Sequence, residues 1–324
     1  MEINLLDNGD FVFGVASYEY HDGAYRFFRM TDGLNDFFND YEHFMLRASN
    51  TSGVRIGFVT DSEYLAMEVL YGKFARPIFT IDIVVNGENK MTFGPDTYVE
   101  EFSLSTELPG SGEKTVEIFL PVMAECAVKG IVLDPGSTLE AIPEKSAPLL
   151  FTGDSITQGM TVTTPALAYP AQVAAVLKAD FHNLGVGGTT MQKEIAPLLL
   201  ELEWGKVFIA FGVNDFSQDR SLADFEDETR GMLEILSSRE DAEIFLITPI
   251  PWALRVNPNS IGLFLEDYRK VLRNTARDFP KVKVIEGAKL VPDDPKYYVD
   301  NIHPNDLGAS EYADNLLAEL GVTD

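Results

Sequence analysis

Leu149-Leu150-Phe151-Thr152-Gly153-Asp154-Ser155-Ile156-Thr157-Gln158-Gly159 is the stretch whose reading decides the fold of the second half of the chain. An apolar run of strand length stops at a glycine, and Asp and Ser are residues that cap helices. The segment therefore predicts a buried strand turning sharply into a helix. Downstream, apolar runs at 181–184, 207–211, 244–248 and 282–285 alternate with helical patterns at 168–177, 222–236 and 264–277. Parallel strands need crossovers, helices are the usual ones, and right-handed crossovers place them on both faces of the sheet. The expected fold class here is α/β, a three-layer α/β/α domain around a parallel sheet.

Upstream the texture differs. From about Phe11 to Leu133, short runs rich in Val, Ile, Phe, Tyr and Thr are separated by Gly, Asn, Asp and Pro, as at 53–60, 64–71, 78–85 and 115–120. These read as antiparallel strands, and Asn86-Gly87 after an apolar run is a hairpin signal. A sheet with one apolar face must bury it against another layer, so an all-β sandwich or jelly roll is expected, with no long amphipathic helix. Pro135, Pro143 and Pro148 mark a connector. The expected domains are 1–145 and 146–324.

The composition excludes several classes. The 324 residues carry 51 Asp and Glu against 25 Lys and Arg, a formal charge of −26, without a basic cluster. That disfavours nucleic acid and anionic membranes as partners. Cys126 is the single cysteine, so an intrachain disulfide is impossible, and a buried thiol is expected. The N-terminus lacks the basic and apolar regions of a secretory leader, and no window approaches a membrane span, so the expected location is the cytoplasm. His21, His43 and His182 lack metal-ligand spacing, and neither metal nor cofactor is expected.

In open α/β sheets ligands gather beyond the carboxyl ends of the strands. Four such places carry chemistry: Gly153-Asp154-Ser155; Gly185-Val186-Gly187-Gly188-Thr189-Thr190; Gly212-Val213-Asn214-Asp215; and Asp300-Asn301-Ile302-His303-Pro304 before the last helix. A hydroxyl is a poor nucleophile until an imidazole accepts its proton and a carboxylate fixes the imidazole's tautomer. Ser155, His303 and Asp300 have the right types for those roles. Ser155 at a helix start lies among free N–H groups, Gly188 lets its own N–H approach a substrate, and Asn214 can aim a carboxamide N–H at the same point. Each block alone reads better as a cap, a turn or a loop than as part of a catalytic site. Four together, at strand ends, favour acyl transfer.

With these blocks in this order, the region from about residue 148 to 320 resembles the SGNH, or GDSL-type, hydrolase superfamily. The resemblance implies a flavodoxin-like sheet, with Ser155 as nucleophile, His303 as base and Asp300 as orienting acid. It assigns the oxyanion hole to Ser155, Gly188 and Asn214. Thr189 stands where the family usually has Asp or Ser after the glycine. The serine lacks the second glycine of a G-x-S-x-G elbow, so the chain does not resemble an α/β-hydrolase. A β-sandwich ahead of such a domain resembles some carbohydrate esterases, the family 2 enzymes among them.

The expected activity is hydrolysis of short acyl esters, acetyl foremost, on a carbohydrate or similar small molecule. Asp154, Trp252 and Tyr298 are candidate substrate contacts. The alternatives are an acyltransferase working through the same acyl-enzyme, and a carbohydrate-binding protein with an inactive scaffold. Homo-oligomers remain compatible with the sequence.

Overall fold

The structure, a computed structural model, describes residues 1–143 and 146–322. In the N-terminal part the strands are β1 (Val12–Phe13), β2 (Ser17–His21), β3 (Ala24–Phe28), β4 (Arg55–Thr60), β5 (Tyr64–Phe74), β6 (Ile81–Val85), β7 (Asn89–Phe93), β8 (Glu101–Glu107), β9 (Lys114–Phe119) and β10 (Ala124–Leu133). They form two antiparallel sheets, ordered β1-β4-β9-β6-β7 and β2-β3-β10-β5-β8. Successive strand residues point to opposite faces, so Ile56, Phe58, Ile83 and Val116 of one sheet share a core with Leu65, Met67, Val69 and Val128 of the other. This is the expected sandwich, and Cys126 is buried within it. The Asn86-Gly87 hairpin joins β6 to β7 with both residues at positive φ.

One feature departs from the all-β expectation. Between β3 and β4 lie two helices, α1 (Asp32–Phe38) and α2 (Glu42–Ala48). Thr31 caps α1 by accepting from the Leu34 amide. Each helix has only seven residues, two turns, too few to display a periodic apolar stripe. Their apolar residues do not enter the sandwich core. Met30, Leu34, Phe38 and Ala48 pack with Leu184, Val186 and Met191 of the second domain.

That domain contains β11 (Ser146–Gly153), α3 (Ser155–Gln158), α4 (Tyr169–Leu177), β12 (Ala179–Asn183), α5 (Ala196–Leu199), β13 (Lys206–Ala210), α6 (Val213–Ser217), α7 (Leu222–Leu236), β14 (Glu243–Ile247), α8 (Leu265–Ala276), β15 (Val282–Ile285) and α9 (Asp306–Glu319). Its sheet is wholly parallel, ordered β12-β11-β13-β14-β15. Alternate strand residues serve two separate cores: Leu150, Val207, Ile209 and Leu246 face α7 and α8, while Phe151, Phe208 and Phe245 face α4 and α9. The three phenylalanine rings stack in a row, with centroids 4.7 and 4.9 Å apart. The chain leaves β11 for β12 on one side, then crosses to β13 on the other. The reversal opens a crevice at the carboxyl ends of β11 and β13, which are followed by Ser155 and Asn214.

The expected boundary near residue 145 falls on Glu144 and Lys145, which lie outside the described residues. Two buried arginines join the halves. Arg55 of β4 meets Asp180 Oδ1 at 2.5 Å and lies 4.3 Å over the Phe181 ring. Arg29 donates to the carbonyls of Asn50 (2.8 Å), Arg47 (2.9 Å) and, across the junction, Asn183 (2.6 Å). Burial lowers the Arg29 pKa to about 9.

Candidate active site

Gly153 ends β11, and Asp154 caps α3 by accepting from the Ile156 amide at 2.9 Å. This turn places Ser155 first in α3, where the N–H of a helix's first residue has no intrahelical acceptor. Close approach of the neighbouring loop is essential. A Cβ at Gly185 would sit 2.4 Å from the Gln158 nitrogen, a contact no larger residue could make. Asn183 ties the two segments, donating to Thr157 O (2.9 Å) and accepting from the Gly185 amide (3.0 Å). Val186 N and Thr189 Oγ1 both reach Gly153 O, at 3.0 and 3.3 Å.

From the other end of the domain, the loop before α9 brings His303 to the same crevice. Ser155 Oγ lies 2.8 Å from His303 Nε2, and His303 Nδ1 lies 2.8 Å from Asp300 Oδ2. Ionised Asp300 can only accept, so it selects the tautomer with hydrogen on Nδ1 and leaves Nε2 free to accept from the serine hydroxyl. Asp300 Oδ1 also accepts from the His303 and Ile302 amides, at 2.9 and 3.2 Å. Burial alone would raise the Asp300 pKa, but these donors outweigh it and hold the carboxyl below its ordinary value. Thr161 Oγ1 donates to Pro304 O at 2.8 Å, and Thr163 donates to Asp306 through its amide (2.8 Å) and hydroxyl (2.6 Å). These bonds tether the segment after the serine to the histidine loop.

Asn214 lies in α6, which follows Gly212 two residues beyond the end of β13 at Ala210, and its Nδ2 donates to Thr189 O at 2.9 Å. Gln218 Nε2 donates to Gly188 O at 3.1 Å. The Gly188 amide donates to no described group, and Gly188 adopts φ +88° in its turn. Ser155, His303 and Asp300 thus come together, with the Gly188 block and Asn214 joined to each other beside them.

The other candidates divide. Trp252 is half-buried, edge-on to Phe216, and lines a cleft of about 320 Å³ with Arg255, Phe264 and Arg269. Its loop is fastened to the histidine loop by Ala253 N donating to Asn301 O at 2.7 Å. Asp154 and Tyr298 are interior residues, 2% and 5% exposed. Asp154 serves as a cap, and the Tyr298 ring lies in the core with Tyr312 and Leu290. Sequence reading also missed Asp215, which is fully buried, accepts from the Met191 amide at 3.2 Å and pairs with Arg220 at 3.1 Å. It braces the glycine block from behind.

Burial pushes the Asp154 pKa up to about 7, against the Ile156 amide and with help from the Asp215 charge. A carboxyl raised on folding favours the native state below its unfolded pKa, and that contribution disappears as pH rises through about 7. Asp154→Asn keeps the capping oxygen without the charge. It is expected to raise the melting temperature most at pH 8 and clearly less at pH 5, which lies between the unfolded and folded values, as read by thermal unfolding at both. Equal shifts at both would show that Asp154 is ionised throughout.

Residues 151–310 match the model of the GDSL-like Lipase/Acylhydrolase family. No curated protein sequence matches the chain. Among solved structures, the salicylyl-acyltransferase SsfX3 from a tetracycline biosynthetic pathway is similar over 96% of this chain and 94% of its own, at TM-score 0.82 and 23% identity. A family two carbohydrate esterase from Clostridium thermocellum, in complex with cellohexaose as an active site mutant, is similar at TM-score 0.63 and 19% identity, covering 85% of this chain and 94% of its own. One from Cellvibrio japonicus is similar at TM-score 0.62 and 16% identity, over 97% of both chains. At these identities the likeness concerns the fold, and it extends through both domains. Across residues 151–310 the chain belongs to the GDSL-like lipase/acylhydrolase family of ester hydrolases, with a β-sandwich joined ahead of the hydrolase domain.

Proposed function

We propose that this protein is a serine esterase that removes short acyl groups, acetyl foremost, from a carbohydrate or related hydroxylated small molecule. The observation that carries the reading is the continuous relay from Ser155 Oγ through His303 to Asp300, with both hydrogen bonds at 2.8 Å. In this reading His303 Nε2 takes the serine proton as Oγ attacks the ester carbonyl. Asp300 stabilises the imidazolium that forms, without taking the proton itself. The negative oxygen is met by the Ser155 and Gly188 amides and Asn214 Nδ2. The imidazolium then protonates the departing alcohol. Water, deprotonated by His303, releases the acid from the acyl-enzyme and restores Ser155. The family two carbohydrate esterases among the similar structures support the sugar as alcohol.

Asn214→Ala is expected to lower kcat by about 10²–10³ with KM little changed, the usual cost of one lost oxyanion donor. Turnover of p-nitrophenyl acetate checks it, and a loss confined to KM would remove Asn214 from the hole. The substrate class is tested by a panel of acetylated sugars with product identification; inactivity on all of them alongside turnover of an aryl ester would refute the sugar.

A second reading, acyl transfer to an alcohol, is favoured by the likeness to the salicylyl-acyltransferase through both domains. An acyl-enzyme passes its acyl group to a hydroxyl when water is kept out. A new ester formed with added sugar acceptor, in place of free acid, would establish it.

A further inference from the structure

We propose that Arg47, on helix α2 of the N-terminal domain, is a positioning residue for the oxyanion hole: its guanidinium fixes and polarises the Gly187–Gly188 peptide. The inference rests on the reading that the Gly188 N–H meets the oxyanion. Arg47 Nη1 donates to Gly187 O at 3.0 Å. That carbonyl and the Gly188 N–H belong to one planar peptide unit, and in a trans peptide they point in opposite directions. A cation holding the oxygen therefore aims the hydrogen away from itself. A charge-assisted bond at the oxygen also draws electron density from the nitrogen, which makes the N–H a stronger donor.

The surrounding contacts leave this peptide little freedom. The Gly187 amide donates to Gln158 Oε1 at 2.9 Å, and Gln158 Nε2 donates to the backbone oxygen of Arg47 itself, also at 2.9 Å. On the far side, Gln218 holds Gly188 O. A Cβ at Gly188 would stand 3.4 Å from Arg47 Nη1 and 3.5 Å from the Phe44 ring, so α2 forms the roof of the turn. The Arg29 clamp on Arg47 O and Asn183 O sets the height of that roof above the loop.

The electrostatics point the same way. Among the described residues no carboxylate pairs with Arg47, in a chain holding 51 of them. Burial, then the neighbouring Arg76, lower its pKa from the ordinary guanidinium value. A half-buried cation facing a second cation is unfavourable in the resting protein. Negative charge developing on the far side of the Gly187–Gly188 peptide offsets part of that cost.

The test compares Arg47→Ala and Arg47→Lys with the wild-type full chain on p-nitrophenyl acetate. Losing an oxyanion donor outright costs about 10²–10³, so weakening one is expected to lower kcat about 10-fold in Arg47→Ala with KM nearly constant. The rate of fluorophosphonate labelling at Ser155 should fall in parallel. Arg47→Lys, whose ammonium still reaches a carbonyl, should lose less, and millimolar guanidinium should restore part of the activity of Arg47→Ala. Unchanged kcat, a change in KM alone, or loss in folded Arg47→Ala without rescue by lysine or guanidinium would overturn the proposal. Should Arg47→Ala not fold, Arg47→Met, which keeps the apolar stem without the cation, decides: reduced kcat and labelling at constant KM support it, and wild-type values overturn it. A wild-type protein that neither turns over ester nor takes the label would instead overturn the underlying esterase reading.

Discussion

Ser155→Ala is expected to abolish turnover of p-nitrophenyl acetate, with kcat falling on the order of 10⁶-fold, the scale seen when a triad serine is removed elsewhere. The substitution removes one oxygen whose protein partner is His303 Nε2, and leaves the α3 backbone and the Asp154 cap in place. The melting temperature should therefore stay close to wild type while fluorophosphonate labelling disappears. Residual activity near wild type would mean that another group attacks the ester, and the proposed chemistry would have to be abandoned.

The second large effect belongs to Asp300→Asn, expected to lower kcat about 10⁴-fold. An asparagine can donate where the carboxylate only accepted, so it can bond to an unprotonated Nδ1 and shift the imidazole hydrogen to Nε2. That nitrogen could then no longer take a proton from Ser155. The geometry need hardly change, since a side-chain oxygen can still accept from the His303 amide as Asp300 Oδ1 does. Kinetics at pH 7 to 8 read the result. A loss below ten-fold would show that something other than Asp300 sets the tautomer.

How much of this was legible in the sequence depended on distance along the chain. The strands and longer helices of the second domain could be read because each is declared by its own apolar period. Helix α7 occupies the predicted span, 222–236, and β15 the predicted 282–285. Ser155, Asn214, Asp300 and His303 stood out because each lies in a short local pattern at a strand end. What stayed hidden had no local signature. Helices α1 and α2 are too short to show a stripe, and they owe their packing to a core 140 residues away, as the Arg47 bond to Gly187 illustrates. Tyr298 looked like a loop aromatic because its sequence neighbours are polar, but the fold turns its ring beneath α9. Asp154 could be read as ligand or cap, and the structure shows the cap, with the Ile156 amide on its carboxylate.

Arg29 carries a consequence for how this protein can be cut and recombined. Its three carbonyl partners are drawn from both sides of the linker, so excising the hydrolase domain would expose the underside of its glycine loop and strand a cation with one acceptor missing. The β-sandwich is thus no detachable accessory: proteolytic nicking between the halves should leave them associated, and chimaeras that swap the front domain should fail unless they bring their own clamp.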